Sequence, residues 1–284
     1  MTYRAMFVTD FDGTLLQSDG ALADTDLAAL AALPARGVLR VIATGRSWYS
    51  FSRRGAVGLS LPIDYVVVST GAGVMDWQRQ EALYHHDMAA DHVADTLNVF
   101  LALDLDFMIH ATAPDNHHFW FRHSGRDNPD FMQRVNIYQS FAQQLDTARY
   151  QPVPASQFLA VLTPNQGNGL ITHIAERLPH LNVVRTTSPL DGKSIWVEVF
   201  PKHVSKQHAA AYLADEFGIA HNRVFAVGND YNDLDLLEWA GGGGFVVKNA
   251  PSELRKRFQT VAGNDHGGCR QVIDIMSKQL GAYS

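Results

Sequence analysis

The chain has 284 residues, 46% hydrophobic, 18% charged and 10% aromatic, which is apolar material for one large or two modest packed domains and excludes a disordered chain. Its 23 lysines and arginines stand against 29 aspartates and glutamates, a formal charge of -6, a poor footprint for gripping nucleic acid or an anionic membrane. The single cysteine, Cys269, excludes an intrachain disulfide, a cysteine-rich zinc site and an iron–sulfur cluster, and reads as a small core residue. The opening residues show no apolar stretch followed by a small-residue cleavage site. No window holds about 18 consecutive apolar residues either, so a cytoplasmic protein without a membrane span is expected.

Ala5-Met6-Phe7-Val8 is a short apolar run stopped by an aspartate and a glycine, which predicts a buried strand and then a loop. Leu27, Leu30 and Leu33 follow at helical spacing between a cap at Asp24 and Gly37. Val38–Ala43 and Tyr65–Val68 are two further strands, ended by Thr44-Gly45 and Ser69-Thr70-Gly71. Strand, helix, strand, helix, strand predicts a parallel sheet with helices on its faces.

Residues 82–189 change character, with long helices (Ala89–Leu103 and Pro129–Gln144) among alternating strands (Phe107–Thr112, Phe119–Arg122, Phe158–Thr163, Leu181–Thr187). That pattern predicts an inserted α+β domain. The earlier pattern returns in 190–284: a strand at Ile195–Phe200, a helix over Lys206–Phe217, a strand at Val224–Val227, a helix through Leu234–Trp239, a strand at Gly244–Val247 and a last helix from Gly267 to Leu280. The expectation is therefore an α/β core of residues 1–81 and 190–284, a Rossmann-like sheet with helices on both faces and Ile195–Phe200 among its strands, carrying the insertion 82–189.

In an open parallel sheet the ligand crevice lies outside the carboxyl ends of the strands. Those ends carry Asp10-Phe11-Asp12-Gly13-Thr14, Thr44-Gly45-Arg46, Lys206 beyond the Ile195–Phe200 strand, and Gly228-Asn229-Asp230-Tyr231-Asn232-Asp233. A lone Asp-x-Asp-Gly is as often a tight turn as a site. Four polar constellations at four strand ends shift the balance. Two carboxylates two residues apart in a partly dry crevice repel unless a cation neutralises them, and Mg²⁺, which takes oxygen ligands and keeps several waters, suits so sparse a set.

An aspartate can attack phosphorus to form an acyl phosphate. In that scheme Asp10 is the nucleophile, and Asp12 protonates the leaving alkoxide and later accepts a proton from water. Thr44 donates to a phosphoryl oxygen, and Lys206 places a point charge near both Asp10 and the transferring group. The Asn229–Asp233 segment holds the metal. Gly45, Arg46, Thr70, Gly71 and Asn232 are candidates for substrate contact, although an ion pair is as good a use for Arg46.

At these residues the sequence resembles the haloacid dehalogenase superfamily, and within it the Cof-like phosphatases of subfamily IIB. The resemblance rests on Asp10-Phe11-Asp12-Gly13-Thr14-Leu15, Thr44-Gly45-Arg46, Lys206, the Gly228–Asp233 segment and Lys248-Asn249-Ala250-Pro251. It implies a cap of type C2B and Mg²⁺-dependent hydrolysis of small phosphate monoesters, sugar phosphates foremost, through a phosphoaspartate on Asp10. The metal set it implies is drawn from Asp10, Asp12 through its main-chain carbonyl, Asn229 and Asp233. Two departures stand out. Asn229 occupies a position that is usually an acid, so either its neutral oxygen ligates or Asp230 or Asp233 takes over. Thr70-Gly71 stands where Asn-Gly is common.

A phosphomutase on the same scaffold and a non-catalytic sugar-phosphate sensor are the alternatives. The partner expected is a small phosphomonoester, with neither nucleic acid nor membrane. Asn116-His117-His118-Phe119-Trp120-Phe121-Arg122-His123 reads as an ordinary cap strand, and Gly241–Gly244 as a flexible helix stop, because it follows a helix and precedes a strand.

Overall fold

A computed structural model of the chain describes residues 3–53, 61–163 and 166–281. The backbone divides into two compact units, Met1–Tyr84 with Ser205–Ser284, and His85–Val204. The sequence pattern put these changes at 81/82 and 189/190.

In chain order the first unit begins with β1 (Ala5–Thr9), α1 (Asp24–Ala32), β2 (Val38–Ala43), α2 (Trp48–Arg53), β3 (Tyr65–Val68), β4 (Gly73–Asp76) and β5 (Glu81–His85). The second contains α3 (Ala90–Ala102), β6 (Phe107–His110), β7 (Phe119–Arg122), α4 (Pro129–Ile137), β8 (Ala142–Gln144), β9 (Gln157–Leu162), α5 (Gly167–Arg177), β10 (Leu181–Thr187) and β11 (Ile195–Pro201). The first unit then resumes with α6 (Lys206–Glu216), β12 (Val224–Gly228), α7 (Leu234–Trp239), β13 (Gly243–Val247), α8 (Ser252–Arg257), β14 (Gln259–Val261) and α9 (Gly268–Gly281).

The first unit is built on one sheet of order β14-β13-β12-β1-β2-β3-β4-β5. It is parallel from β14 to β3, and β4 turns back antiparallel on β3. Alternation along β1 explains why its sequence is apolar throughout: Phe7 joins Leu30, Cys269 and Met276 on one face, while Met6 and Val8 join Ala210, Leu213 and Leu237 on the other. With both faces covered, polar residues are left to the ends of the strands.

The second unit has its own sheet, of order β10-β11-β9-β6-β7-β8. One face packs under α3 and α5 through Phe100, Phe158, Ile174 and Val197, and the other under α4 through Phe131, Val135, Leu159 and Trp196. Trp120 lies with the first set and Phe119 and Phe121 with the second, as an alternating cap strand requires.

Three expectations are corrected. Ile195–Phe200 does not join the core sheet. As β11 it pairs antiparallel with β10 and β9 in the second unit, and its continuous burial, which imitates a parallel core strand, comes from helices on both sides of that sheet. The helix expected over Pro129–Gln144 ends at Ile137. Tyr138 N bonds back to Arg134 O, Phe141 N to Tyr138 O, and residues 142–144 leave as β8 beside β7. The glycine run is not a loose stop: a Cβ on Gly244 would lie 2.1 Å from the Leu237 carbonyl oxygen, so glycine lets β13 approach α7. Among the described residues no helix is long and apolar enough to cross a membrane.

Candidate active site

Asp10 directly follows β1, and its N–H donates to Val227 O at 2.9 Å, which extends the parallel ladder with β12 by one residue. The chain then folds over itself, with Leu15 N and Leu16 N both donating to Phe11 O and Gly13 at φ 72. This turn returns Thr14 to the strand end, where its hydroxyl donates to Asp10 Oδ2 at 3.0 Å.

Lys206 is the first residue of α6, whose N-cap is Ser205, its Oγ accepting from His208 N at 3.2 Å. The Lys206 ammonium donates to Asp10 Oδ1 at 2.7 Å and to Asp233 Oδ1 at 2.6 Å. Lys206 and Asp233 are 0% exposed and Asp10 is 5% exposed. Burial pushes the Asp10 carboxyl up to about 7, opposed by Lys206 and reinforced by Asp233 and Asp12. Burial alone would lower the Lys206 ammonium, but Asp10 and then Asp233 outweigh it and raise it. Two buried carboxylates thus share one ammonium, which leaves a formal negative charge that burial opposes and that a proton on Asp10 or a bound cation would offset.

At the end of β12, the Asp233 carboxylate turns back under the strand. Its Oδ2 accepts from Asn229 N at 2.9 Å and Asp230 N at 3.1 Å. A Cβ on Gly228 would sit 2.4 Å from Asp233 Cγ, so only glycine permits this fold-back. Asp230 is engaged in the reciprocal half of the same capping box. Both oxygens of Asp233 are engaged, as are both of Asp10, but Asp233 is fully enclosed while Asp10 keeps a little exposure. Asn229 faces the loop: its Nδ2 lies 2.6 Å from where a Cβ on Gly13 would stand. Among the described residues no group of three His, Cys, Asp or Glu side chains is arranged to hold a metal. What the site offers is one carboxylate, Asp10, with neutral oxygens beside it, a hard and sparse donor set that fits a Mg²⁺ ion retaining most of its waters.

The second strand end supplies the remaining candidates. Thr44 is buried, and its Oγ1 accepts from Arg46 N at 3.1 Å, which leaves its O–H to donate elsewhere. Gly45 approaches Thr70 and Asn232: a Cβ there would lie 3.5 Å from Thr70 Oγ1 and 3.7 Å from Asn232 Nδ2. Ser69 and Thr70 hold φ of 48 and 57, a conformation costing non-glycine residues about 1–3 kcal/mol each and one that concentrates at functional sites. Gly71 serves the fold, since a Cβ there would meet Ser205 O at 2.2 Å. Arg46 turns to Asp12, donating from Nε to Oδ2 at 2.7 Å and from Nη2 to Oδ1.

Two contributors escaped the sequence reading of the site. Thr14 was visible only as part of the first motif. Asn249 donates from Nδ2 to Gly13 O at 2.7 Å and accepts from Asn264 N at 3.1 Å, pinning the aspartate loop from the far side of β13. The Lys248–Pro251 stretch carried the only signal for it.

Comparison with known proteins gives the family. The family profile described as haloacid dehalogenase-like hydrolase matches residues 7–273. The Bacillus subtilis protein YxeH, named as a candidate phosphatase, is 25% identical over 279 residues, covering 95% of this chain and 98% of its own. An HMP-PP phosphatase of Escherichia coli is 27% identical over 247 residues, covering 87% and 85%. A 5-amino-6-(5-phospho-D-ribitylamino)uracil phosphatase of Bacillus subtilis is 24% identical over 293 residues, covering 93% and 95%. Among solved structures, the phosphatase BT1666 of Bacteroides thetaiotaomicron superposes with TM-score 0.76 at 18% identity, covering 97% of this chain and 96% of its own. The subclass IIB sugar phosphatase BT4131 superposes with TM-score 0.75 at 17% identity, covering 96% and 99%, and the two share this fold. The chain belongs to the haloacid dehalogenase-like hydrolases.

Proposed function

We propose that the chain is a Mg²⁺-dependent phosphatase of small phosphorylated metabolites, sugar phosphates foremost, acting through an aspartyl phosphate on Asp10. The observation that carries this reading is the buried Asp10–Lys206–Asp233 triad at the carboxyl edge of the sheet. A binding protein has no need of a carboxylate nucleophile held by a fixed ammonium. The relatives named as phosphatases of phosphorylated small molecules support the same substrate class.

An Asp10 carboxylate oxygen forms a bond to phosphorus as the bond from phosphorus to the ester oxygen breaks, and Asp12 delivers a proton to the departing alkoxide. Water then attacks the phosphorus of the acyl phosphate while Asp12 takes its proton, releasing inorganic phosphate and restoring Asp10. Lys206 holds the nucleophile in line and keeps one positive charge beside the phosphoryl oxygens, and Thr44 donates its hydroxyl to one of them. Asp233 orients the lysine. Asp10, the main-chain carbonyl of Asp12 and the Asn229 amide oxygen would hold Mg²⁺. The ion supplies charge neutralisation for the phosphoryl group. Gly45, Thr70 and Asn232 line the neighbouring strand ends as substrate contacts.

Turnover of p-nitrophenyl phosphate and of a panel of sugar phosphates tests this reading. Asp10→Asn should lower kcat on the order of a thousandfold or more, and EDTA should abolish activity until Mg²⁺ is restored. Equal rates for wild type and Asp10→Asn would end the covalent scheme.

A further inference from the structure

We propose that Arg46 is a positioning residue for proton transfer: its guanidinium fixes the carboxylate of Asp12, and so the direction from which the leaving oxygen is protonated. This rests on the reading of Asp12 as acid and base given above. The pair is bidentate, with Nε and Nη2 of Arg46 on the two oxygens of Asp12. It is also asymmetric, since the Arg46 side chain is 13% exposed and that of Asp12 38%. The carboxylate is the more exposed partner, and the group that aims it is largely covered.

The arginine is itself held at three points. Its N–H donates to Thr44 Oγ1, its carbonyl accepts from Ser69 N at 2.8 Å, and its Cζ lies 5.0 Å from the centroid of the Phe11 ring. Phe11 is fixed in turn by an edge contact with Phe51 at 5.1 Å. The next residue of the loop, Gly13, is tied through its carbonyl to Asn249. Asp12 is thus oriented from the side chain by Arg46 and from the backbone by Asn249.

Stability alone does not account for this arrangement. Arg46 Nη1 is buried and makes no hydrogen bond among the described residues, a desolvated donor that costs free energy. A half-exposed ion pair returns little in compensation. A planar fork matched to both oxygens of one carboxylate fixes its plane, which a single ammonium cannot do. The geometry favours orientation at some expense in stability, as functional sites do.

The test is the dependence of kcat/KM on the leaving group. Arg46→Lys, Arg46→Ala and Asp12→Asn are compared with wild type on aryl phosphates of graded phenol acidity and on an alkyl phosphate. A nitrophenolate departs without a proton and an alkoxide does not, so a misaimed acid is felt most by the alkyl ester. The ratio of kcat/KM for the alkyl ester to that for p-nitrophenyl phosphate should fall about tenfold or more in Arg46→Ala. Arg46→Lys should fall between it and wild type, and it decides the matter if the alanine variant does not fold. An unchanged ratio, with all esters slowed alike or with KM alone raised, overturns the proposal and makes Arg46 a uniform binding or structural residue. If Asp12→Asn itself leaves the ratio unchanged, the acid–base reading of Asp12 fails first, and the two failures are told apart.

Discussion

Nζ of Lys206 stands 2.7 Å from Oδ1 of Asp10 across 196 positions of the chain. Both residues are buried, and the contact exists because the inserted unit ends where α6 begins, so that a loop after β1 and the first turn of a returning helix meet at one edge of the sheet. Asp233 completes the group on the other side of the ammonium.

Removing that ammonium strands two carboxylates. Lys206→Met should lose about 3–5 kcal/mol of stability at neutral pH, the cost of breaking a buried ion pair from one side, together with nearly all activity. The deficit should shrink on acidification, because the raised Asp10 carboxyl takes up a proton and loses its charge. Urea denaturation in EDTA at pH 7.5 and pH 4.5 measures both effects. A variant as stable as wild type at pH 7.5 would show the triad to be electrostatically slack.

Asn229→Asp adds a carboxylate beside a site already in anionic excess. The metal-free protein should become less stable, and Mg²⁺ should bind about tenfold more tightly, a change of ~1.4 kcal/mol. Thermal denaturation as a function of Mg²⁺ concentration reads both without using activity. No change in either quantity would place Asn229 outside the cation's reach.

Gly71→Ala tests whether the fold aims Lys206. The new methyl would lie 2.2 Å from Ser205 O at a residue with φ 110, so the start of α6 has to shift. A loss of about 1–3 kcal/mol should accompany a fall in kcat larger than the change in KM. Full activity in a destabilised protein would separate the packing from the chemistry.

In the second unit, burial lowers the His110 imidazole to about 3, with Arg134 adding to the effect and the bond from Nδ1 to Asn116 O opposing it. A folded-state value below the unfolded one means that the unfolded chain binds the proton first. Stability is therefore intact above pH 6.5 and is lost as pH falls toward 3, by up to ~1.4 kcal/mol per pH unit for one proton. His110→Phe should flatten that part of the profile, as followed by the urea midpoint between pH 4 and pH 7. An unchanged slope would assign the acid sensitivity to other groups.

The apolar runs of β1, β2, β3 and β12, each broken by a polar cluster, were legible because a strand covered on both faces has no other place for polar residues. Asp10 and Thr44 stand at two of those breaks, whereas Lys206 follows the Ile195–Phe200 strand, which belongs to the other sheet. Ile195–Phe200 was misassigned because a strand buried between helices reads the same in either sheet, and no local pattern says which partner it takes.

Side-chain commitments were invisible for a related reason. Asp230, Asp233 and Asn229 are neighbours in one motif with one set of expectations, yet Asp233 folds under Gly228 to hold Lys206 and two amides, Asp230 closes the capping box, and Asn229 is left beside Gly13. Composition and periodicity determined the layers of the core and the strand ends where a crevice can open, since these follow from where apolar residues can hide, and the polar motifs at those ends, with the family they resemble, indicated the chemical class. Only the tertiary structure decided which acid meets which base, because hydrogen-bond partners are allotted by distances of a few ångströms between segments that the chain order keeps far apart.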